Sequence, residues 1–170
     1  FITSGAGAAM GLLCDIHAER GQSVLTQGAT YQNALKIFAS RQLHVEPIAE
    51  LPGGDMDLTA LDALLSRERE RFALIYLIPT FANPTGRTLD IDTRRALVTL
   101  AQRHEILIIA DEVYHPLHFS DDVPPPPVLS HFDETGRFVV SLGSFTKIGA
   151  PGLRLGWAET GKSPDDHRDS

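Results

Sequence analysis

Three apolar stretches constrain this chain more than any other feature: Phe72 to Ile78, Glu105 to Ala110 and Arg137 to Ser141. A strand with one wet face alternates apolar and polar residues, whereas a strand covered by helices on both faces reads as a near-continuous apolar run. The segments around these runs carry helical spacing. Asp90 or Asp92 is placed to cap a helix with Leu97, Val98, Leu100 and Ala101 on its inner side, and Asp57 to cap one through Leu58, Leu61, Leu64 and Leu65. The charged run Arg67 to Arg71 that follows is expected to be a solvated face.

Earlier in the chain, Phe1 to Thr3 reads as the end of a strand. Ser4 to Ala9 reads as a small-residue turn feeding a helix from about Ala8 to Glu19, with Met10, Leu13, Cys14 and His17 on one face and Gly21 as its stop. Ser23 to Thr26 and Leu43 to Ile48 are expected strands with a helix from Tyr31 to Arg41 between them, and Leu155 to Ala158 is a further candidate strand. Asp121 to Pro127, with four successive prolines, is expected to be an exposed, stiff connection. Alternating strands and helices predict an α/β fold, a mostly parallel open sheet with helices on both faces. Residues 1–158 form one core in this description, and 159–170 a polar, disordered tail. The chain opens inside an expected strand, so a fragment or a partial gene product is expected.

Composition narrows the function classes. The 170 residues carry 15 Lys and Arg against 22 Asp and Glu, a net charge of -7, with arginines scattered rather than clustered; no nucleic-acid surface is expected. Cys14 is the single cysteine and cannot form an internal disulfide, so a cytoplasmic protein with a packed thiol is expected. No apolar run approaches the ~20 residues that span a bilayer. His115 and His118 flank Pro116 without a third ligand in view, which argues against a metal site.

In open parallel sheets ligands sit beyond the carboxyl ends of the strands. Asn83, Asp111, Tyr114, Ser144 and Lys147 all fall within a few residues of such an end. Lys36, in a helix, and Lys162, in the tail, are the only other lysines, so Lys147 is the candidate reactive amine. A lysine amine attacks an aldehyde to form an imine, and pyridoxal 5'-phosphate is the aldehyde cofactor that needs one. Its ring nitrogen needs an acid such as Asp111. Its phenolic oxygen needs donors such as Asn83 and Tyr114, and its phosphate needs backbone N–H groups, a hydroxyl and a guanidinium, which Ala6, Gly7, Ser144 and Arg154 offer. Tyr31 offers an aromatic plane for the ring.

Taken together and in order, these residues resemble the class I and II aminotransferases of fold type I, most closely the branch that holds 2-aminoadipate-type aminotransferases and regulators with an aminotransferase-like domain. The resemblance covers residues 1–158. It implies that Ser4-Gly-Ala-Gly7 is the phosphate-binding turn, with Gly7 where many members have glutamine. It also implies that Tyr31 stacks on the ring, that Asn83 and Tyr114 bind the ring hydroxyl, and that Asp111 pairs with the ring nitrogen. Ser144-Phe-Thr-Lys147 is then the Schiff-base motif and Arg154 the phosphate arginine. The implied activity is transamination between an amino acid and a 2-oxo acid, in a homodimer, with Lys147, Asp111 and Tyr114 catalytic. The family's preceding segment and small carboxyl-terminal domain, which grips the substrate's α-carboxylate, are not in these 170 residues. Other pyridoxal-phosphate reactions, β-lyase or decarboxylase, and a regulator's effector domain without turnover share the same cage. Gly5 to Gly11 is a poorer match to a dinucleotide fingerprint, because its third glycine is displaced.

Overall fold

The computed structural model describes residues 1–118 and 124–161. The expected apolar runs form the middle of one seven-stranded sheet, ordered β1-β7-β6-β5-β4-β2-β3. Its strands are β1 (Ile2–Thr3), β2 (Ser23–Thr26), β3 (His44–Pro47), β4 (Phe72–Leu77), β5 (Leu107–Asp111), β6 (Val139–Ser144) and β7 (Gly156–Thr160). The block from β6 to β3 is parallel, while β7 runs antiparallel to both β6 and β1. The mixed edge is the one topological feature that apolar runs do not announce.

Among the described residues four α-helices cover the two faces: α1 (Ala6–His17), α2 (Gln32–Ser40), α3 (Leu58–Glu68) and α4 (Ile91–His104). Alternation along the central strands divides the core in two. Leu74 and Tyr76 of β4 and Leu107 and Ile109 of β5 join Met10, Cys14 and Phe38 of α1 and α2. Phe72, Ile75 and Leu77 of β4 and Ile108 and Ala110 of β5 pack with Leu61, Leu65, Leu97 and Ala101 of α3 and α4. This is why the central strands read as unbroken: from Leu74 to Leu77 and from Leu107 to Ala110, successive side chains meet opposite helical layers.

Several expected boundaries move for local reasons. Helix α1 starts two residues early, at Ala6, because Gly5 takes φ 96, a conformation open to glycine, and turns the chain directly into the helix. It ends at His17, whose side chain is exposed and not on the inner face. Asp90, not Asp92, caps α4, accepting from Thr93 N at 2.7 Å, and Asp57 caps α3. Glu105 ends α4 in the left-handed region at φ 49, so the next strand begins at Leu107 and runs on to Asp111. The charged run after α3 is not wholly solvated: Arg69 is partly buried and donates to the carbonyls of Phe72, His104 and Glu105, holding the end of α4 against the start of β4. Strand β7 pairs Glu159 with Ser141 and Thr160 with Val140, so the ordered core extends past 158. Asp121 to Val123 of the proline-rich connection, Lys162 and the rest of the tail lie outside the described residues.

Candidate active site

Asp111 ends β5 on the face that carries Leu107 and Ile109, the α1–α2 side of the sheet. Only 4% of its surface is exposed. Its Oδ2 accepts from Tyr76 Oη at 2.8 Å, and its Oδ1, fully buried, has no hydrogen-bond partner among the described residues. Burial pushes this carboxyl from 3.8 up to about 6; the Tyr76 hydroxyl, the Val113 N–H and the positive charge of Lys147 pull the other way. An ionisable oxygen left bare in the interior is costly, and such sites mark functional positions.

Beside it, β6 ends at Ser144 and the chain turns into a 3-10 helix, Phe145–Lys147. The Ser144 hydroxyl caps that turn: it accepts from Thr146 N at 3.1 Å and donates to Thr146 Oγ1 at 2.9 Å. Lys147 is the last residue of the turn, and its Nζ lies 5.3 Å from the centre of the Tyr114 ring. Tyr114 follows β5 and stands between Lys147 and Asn83, whose Nδ2 donates to Tyr114 Oη at 3.4 Å. On the other wall, Ala6 and Gly7 form the first turn of α1, where backbone N–H groups have no preceding carbonyl to meet. Gly156 of β7 lets this turn approach: a Cβ there would come within 2.7 Å of Gly5 Cα, Gly5 C and Ala6 N. Arg154, just ahead of β7 at φ 50, lays its guanidinium against Gly5 and so adds a full positive charge to the positive end of the helix.

A cleft of about 230 Å³ joins Ala6, Gly7, Tyr31, Asp111, Tyr114, Ser144, Lys147 and Arg154. Asn83 is not among its lining residues and reaches it through Tyr114. Sequence reasoning missed Thr146, Asn33 and Met10, which also line the cleft, and Tyr76 beneath it. Asn33 donates to Tyr31 Oη at 2.8 Å and fixes the ring that borders the cleft. A larger cleft of about 400 Å³, by Glu50, Asp55, Arg87 and Asp90, holds no lysine, and its arginine is already paired with Asp55. Among the described residues no three His, Cys, Asp or Glu side chains cluster as metal ligands, and His115 bonds the Pro126 carbonyl at 2.9 Å.

These groups suit a small ligand with an anionic end, for the helix N-terminus and Arg154, and a proton to share with Asp111 Oδ1, set within range of an amine. The sheet is that of an open α/β fold, with the cleft beyond the carboxyl ends of its parallel strands. The chain belongs to the family of class I and II aminotransferases, whose family model matches residues 1–163. It is 33% identical over 160 residues to the 2-aminoadipate transaminase of Thermus thermophilus, covering 92% of this chain and 39% of that protein. It is also 33% identical over 158 residues to the uncharacterised HTH-type transcriptional regulator YisV of Bacillus subtilis, covering 92% of this chain and 31% of that protein. The crystal structure of LysN, the α-aminoadipate aminotransferase of Thermus thermophilus complexed with N-(5'-phosphopyridoxyl)-L-leucine, matches with a TM-score of 0.81 at 30% identity. That match covers 94% of this chain and 40% of the other. The chain thus spans less than half the length of each.

Proposed function

We propose that this chain is the cofactor-binding core of a pyridoxal-phosphate-dependent aminotransferase, with Lys147, Asp111 and Tyr114 as its catalytic groups. The observation that carries the proposal is Asp111, a buried carboxylate whose Oδ1 has no hydrogen-bond partner among the described residues and which lines the same cleft as a lysine and a helix N-terminus. The cleft fits the cofactor: Asp111 Oδ1 for the ring N–H, Tyr114 with Asn83 for the ring hydroxyl, and the Tyr31 ring for one face of the cofactor. The first-turn amides of Ala6 and Gly7, with Arg154 and Ser144, suit the phosphate.

When bound, the cofactor supplies a ring that takes up the electron pair left at a substrate's α-carbon. Asp111, as an anion against the ring nitrogen, favours the protonated ring on which that capacity depends. Lys147 Nζ would hold the aldehyde end and, as a free amine, would take and return the proton of a substrate's α-carbon; its flexible stem suits both tasks. Tyr114 orients the ring through its hydroxyl, and its π face lies beside Lys147.

The wider reading is a homodimer of the whole protein, working in the cytoplasm on an amino acid and a 2-oxo acid, with no nucleic acid bound by this segment. The single thiol supports the cytoplasmic location, and the net charge of -7 supports the absence of nucleic acid. Among the described residues no helix is long and apolar enough to cross a membrane. The core is taken as residues 1–158 extended by the last two residues of β7, followed by the tail.

The test is to mix the protein with pyridoxal phosphate, reduce with borohydride and map the pyridoxyl group by mass spectrometry. Lys147 should be labelled selectively, and Lys147→Ala should take no label. Equal labelling of Lys36, Lys147 and Lys162 would sink the proposal. The similarity to YisV favours one second reading, a regulator's effector domain that holds the cofactor without turnover. Conversion of an amino acid to its 2-oxo acid by the whole protein excludes it.

A further inference from the structure

Tyr76 reads in the sequence as one more apolar residue of a buried strand, and its ring does pack in the core: the edge of Phe38 meets it at 5.5 Å and 71°. Its hydroxyl does something else. Register pairs Tyr76 with Ile109, two residues short of Asp111 on the same face of the sheet. The phenol therefore points along the strands toward their carboxyl ends and donates to Asp111 Oδ2 at 2.8 Å. With the ring wedged by Phe38 and no surface exposed, the hydroxyl has a fixed position.

We propose that Tyr76 is a positioning residue for Asp111: its hydroxyl occupies one carboxylate oxygen, so that the other is turned into the cleft and the group is held as an anion. Without the phenol only the Val113 N–H would hold the carboxylate, which would take up a proton at higher pH because burial penalises the charge. A donor on one oxygen limits its rotation and favours the ionised form. The other charged and titratable groups around Asp111 cannot replace it. Lys147 favours the anion from the 3-10 helix but is the group that must move during reaction. Glu112, next in the chain, opposes the anion. Tyr31, Tyr114 and Arg154 border the cleft, and α1 lines it only with uncharged residues.

The inference rests on Asp111 being the ring-nitrogen partner, so its test has one arm that needs no cofactor. Protein labelled with ¹³C at aspartate carboxyls, with Asp111→Asn to assign the signal, is titrated by NMR as wild type, as Tyr76→Phe and with 3,5-difluorotyrosine at position 76. Loss of the hydroxyl should move the Asp111 midpoint up by about 1–2 pH units, the effect expected of a hydrogen bond to a charged group. The more acidic difluorophenol is a stronger donor and should move the midpoint down. In the second arm, Tyr76→Phe should weaken uptake of pyridoxal phosphate about tenfold near pH 6.5 and leave it close to wild type near pH 8.5, where the carboxyl is ionised in both. An unchanged midpoint, or shifts of the same sign in both variants, overturns the proposal; should Tyr76→Phe fail to fold, the difluorotyrosine protein decides alone. If wild-type Lys147 takes no pyridoxyl label, the cofactor reading fails, while the titration still upholds or refutes the hold of Tyr76 on Asp111.

Discussion

Asp111→Asn should make the protein more stable at alkaline pH while destroying the site. In the fold this carboxyl titrates at about 6, against 3.8 for an ordinary aspartate, and burial is the main cause. The folded chain therefore holds a proton between pH 3.8 and about 6 that the unfolded chain has lost, so stability falls as pH rises through that window. The gap is about two units at ~1.4 kcal/mol each, so at pH 8 the ionised carboxylate costs the fold about 3 kcal/mol. Asparagine cannot ionise, occupies nearly the same volume, and keeps an oxygen to accept from Tyr76 Oη. Urea unfolding of the cofactor-free protein should then show Asp111→Asn more stable by about 2–3 kcal/mol at pH 8, a midpoint higher by roughly 1–1.5 M. Below about pH 4 both proteins carry a neutral side chain there and the difference should vanish. A variant less stable at pH 8, or a difference that does not depend on pH, would refute the argument that the carboxylate stands uncompensated.

The remaining predictions follow from burial and charge elsewhere. Arg94 has no exposed surface and donates to Glu112, Thr80 Oγ1 and the carbonyls of Pro79, Leu89 and Pro127; Arg94→Met should cost about 3–5 kcal/mol in urea unfolding, because it strands the Glu112 carboxylate. Faster hydrogen exchange at Leu129 N–H, which donates to Glu112 at 2.8 Å, should accompany the loss. Arg154→Gln should weaken pyridoxal phosphate about ten- to a hundredfold in a fluorescence titration and leave pyridoxal without phosphate nearly unaffected, since only the former has an anion for the guanidinium. Burial pushes the Cys14 thiol up to about 11, so at pH 7.5 iodoacetamide should alkylate it only after unfolding, as read by mass spectrometry.

What the residue pattern disclosed about this molecule was whatever local spacing encodes. The buried runs Phe72 to Ile78 and Glu105 to Ala110 are visible because helices on both faces remove the need for polar alternation. The cleft residues are visible because strand ends in a parallel sheet converge. The antiparallel β1–β7 edge was hidden, since it depends on Phe1 and Ala158 meeting across the whole chain. Tyr76 was hidden by the pattern that revealed the strand: inside an apolar run a tyrosine counts as one more large side chain, and nothing local says that its hydroxyl will find Asp111, 35 residues on. Arg94 was hidden for the mirror reason. On a helix read by its leucines an arginine belongs to the wet face, and only the return of the chain at Glu112 and Pro127 gives it a dry one.

Asp111 and Glu112 show how one strand end serves both fold and site. Consecutive residues at the end of a strand project to opposite faces, so two adjacent carboxylates enter two different environments. Glu112 enters the α4 side and is saturated: Thr80 Oγ1 donates at 2.9 Å, Leu129 N at 2.8 Å, and Arg94 neutralises it at 3.4 Å. Its bonds tie together the loop after β4, the start of α4 and the segment before Leu129, which are the walls that hold Asn83 and Tyr114 in register. Asp111 enters the α1–α2 side, where Tyr76 donates to one oxygen and the other has no hydrogen-bond partner among the described residues. The saturated carboxylate supplies the rigidity that lets the unsaturated one persist, because a bare buried charge survives only where its surroundings cannot collapse onto it. Glu112→Gln, with Asp111 kept, should therefore loosen the Asn83 loop while easing the ionisation of Asp111. In hydrogen exchange, protection should fall at Ala82 and Gly86, whose N–H groups bond within that loop, while the Asp111 midpoint moves down, because the negative charge that opposed its anion is gone.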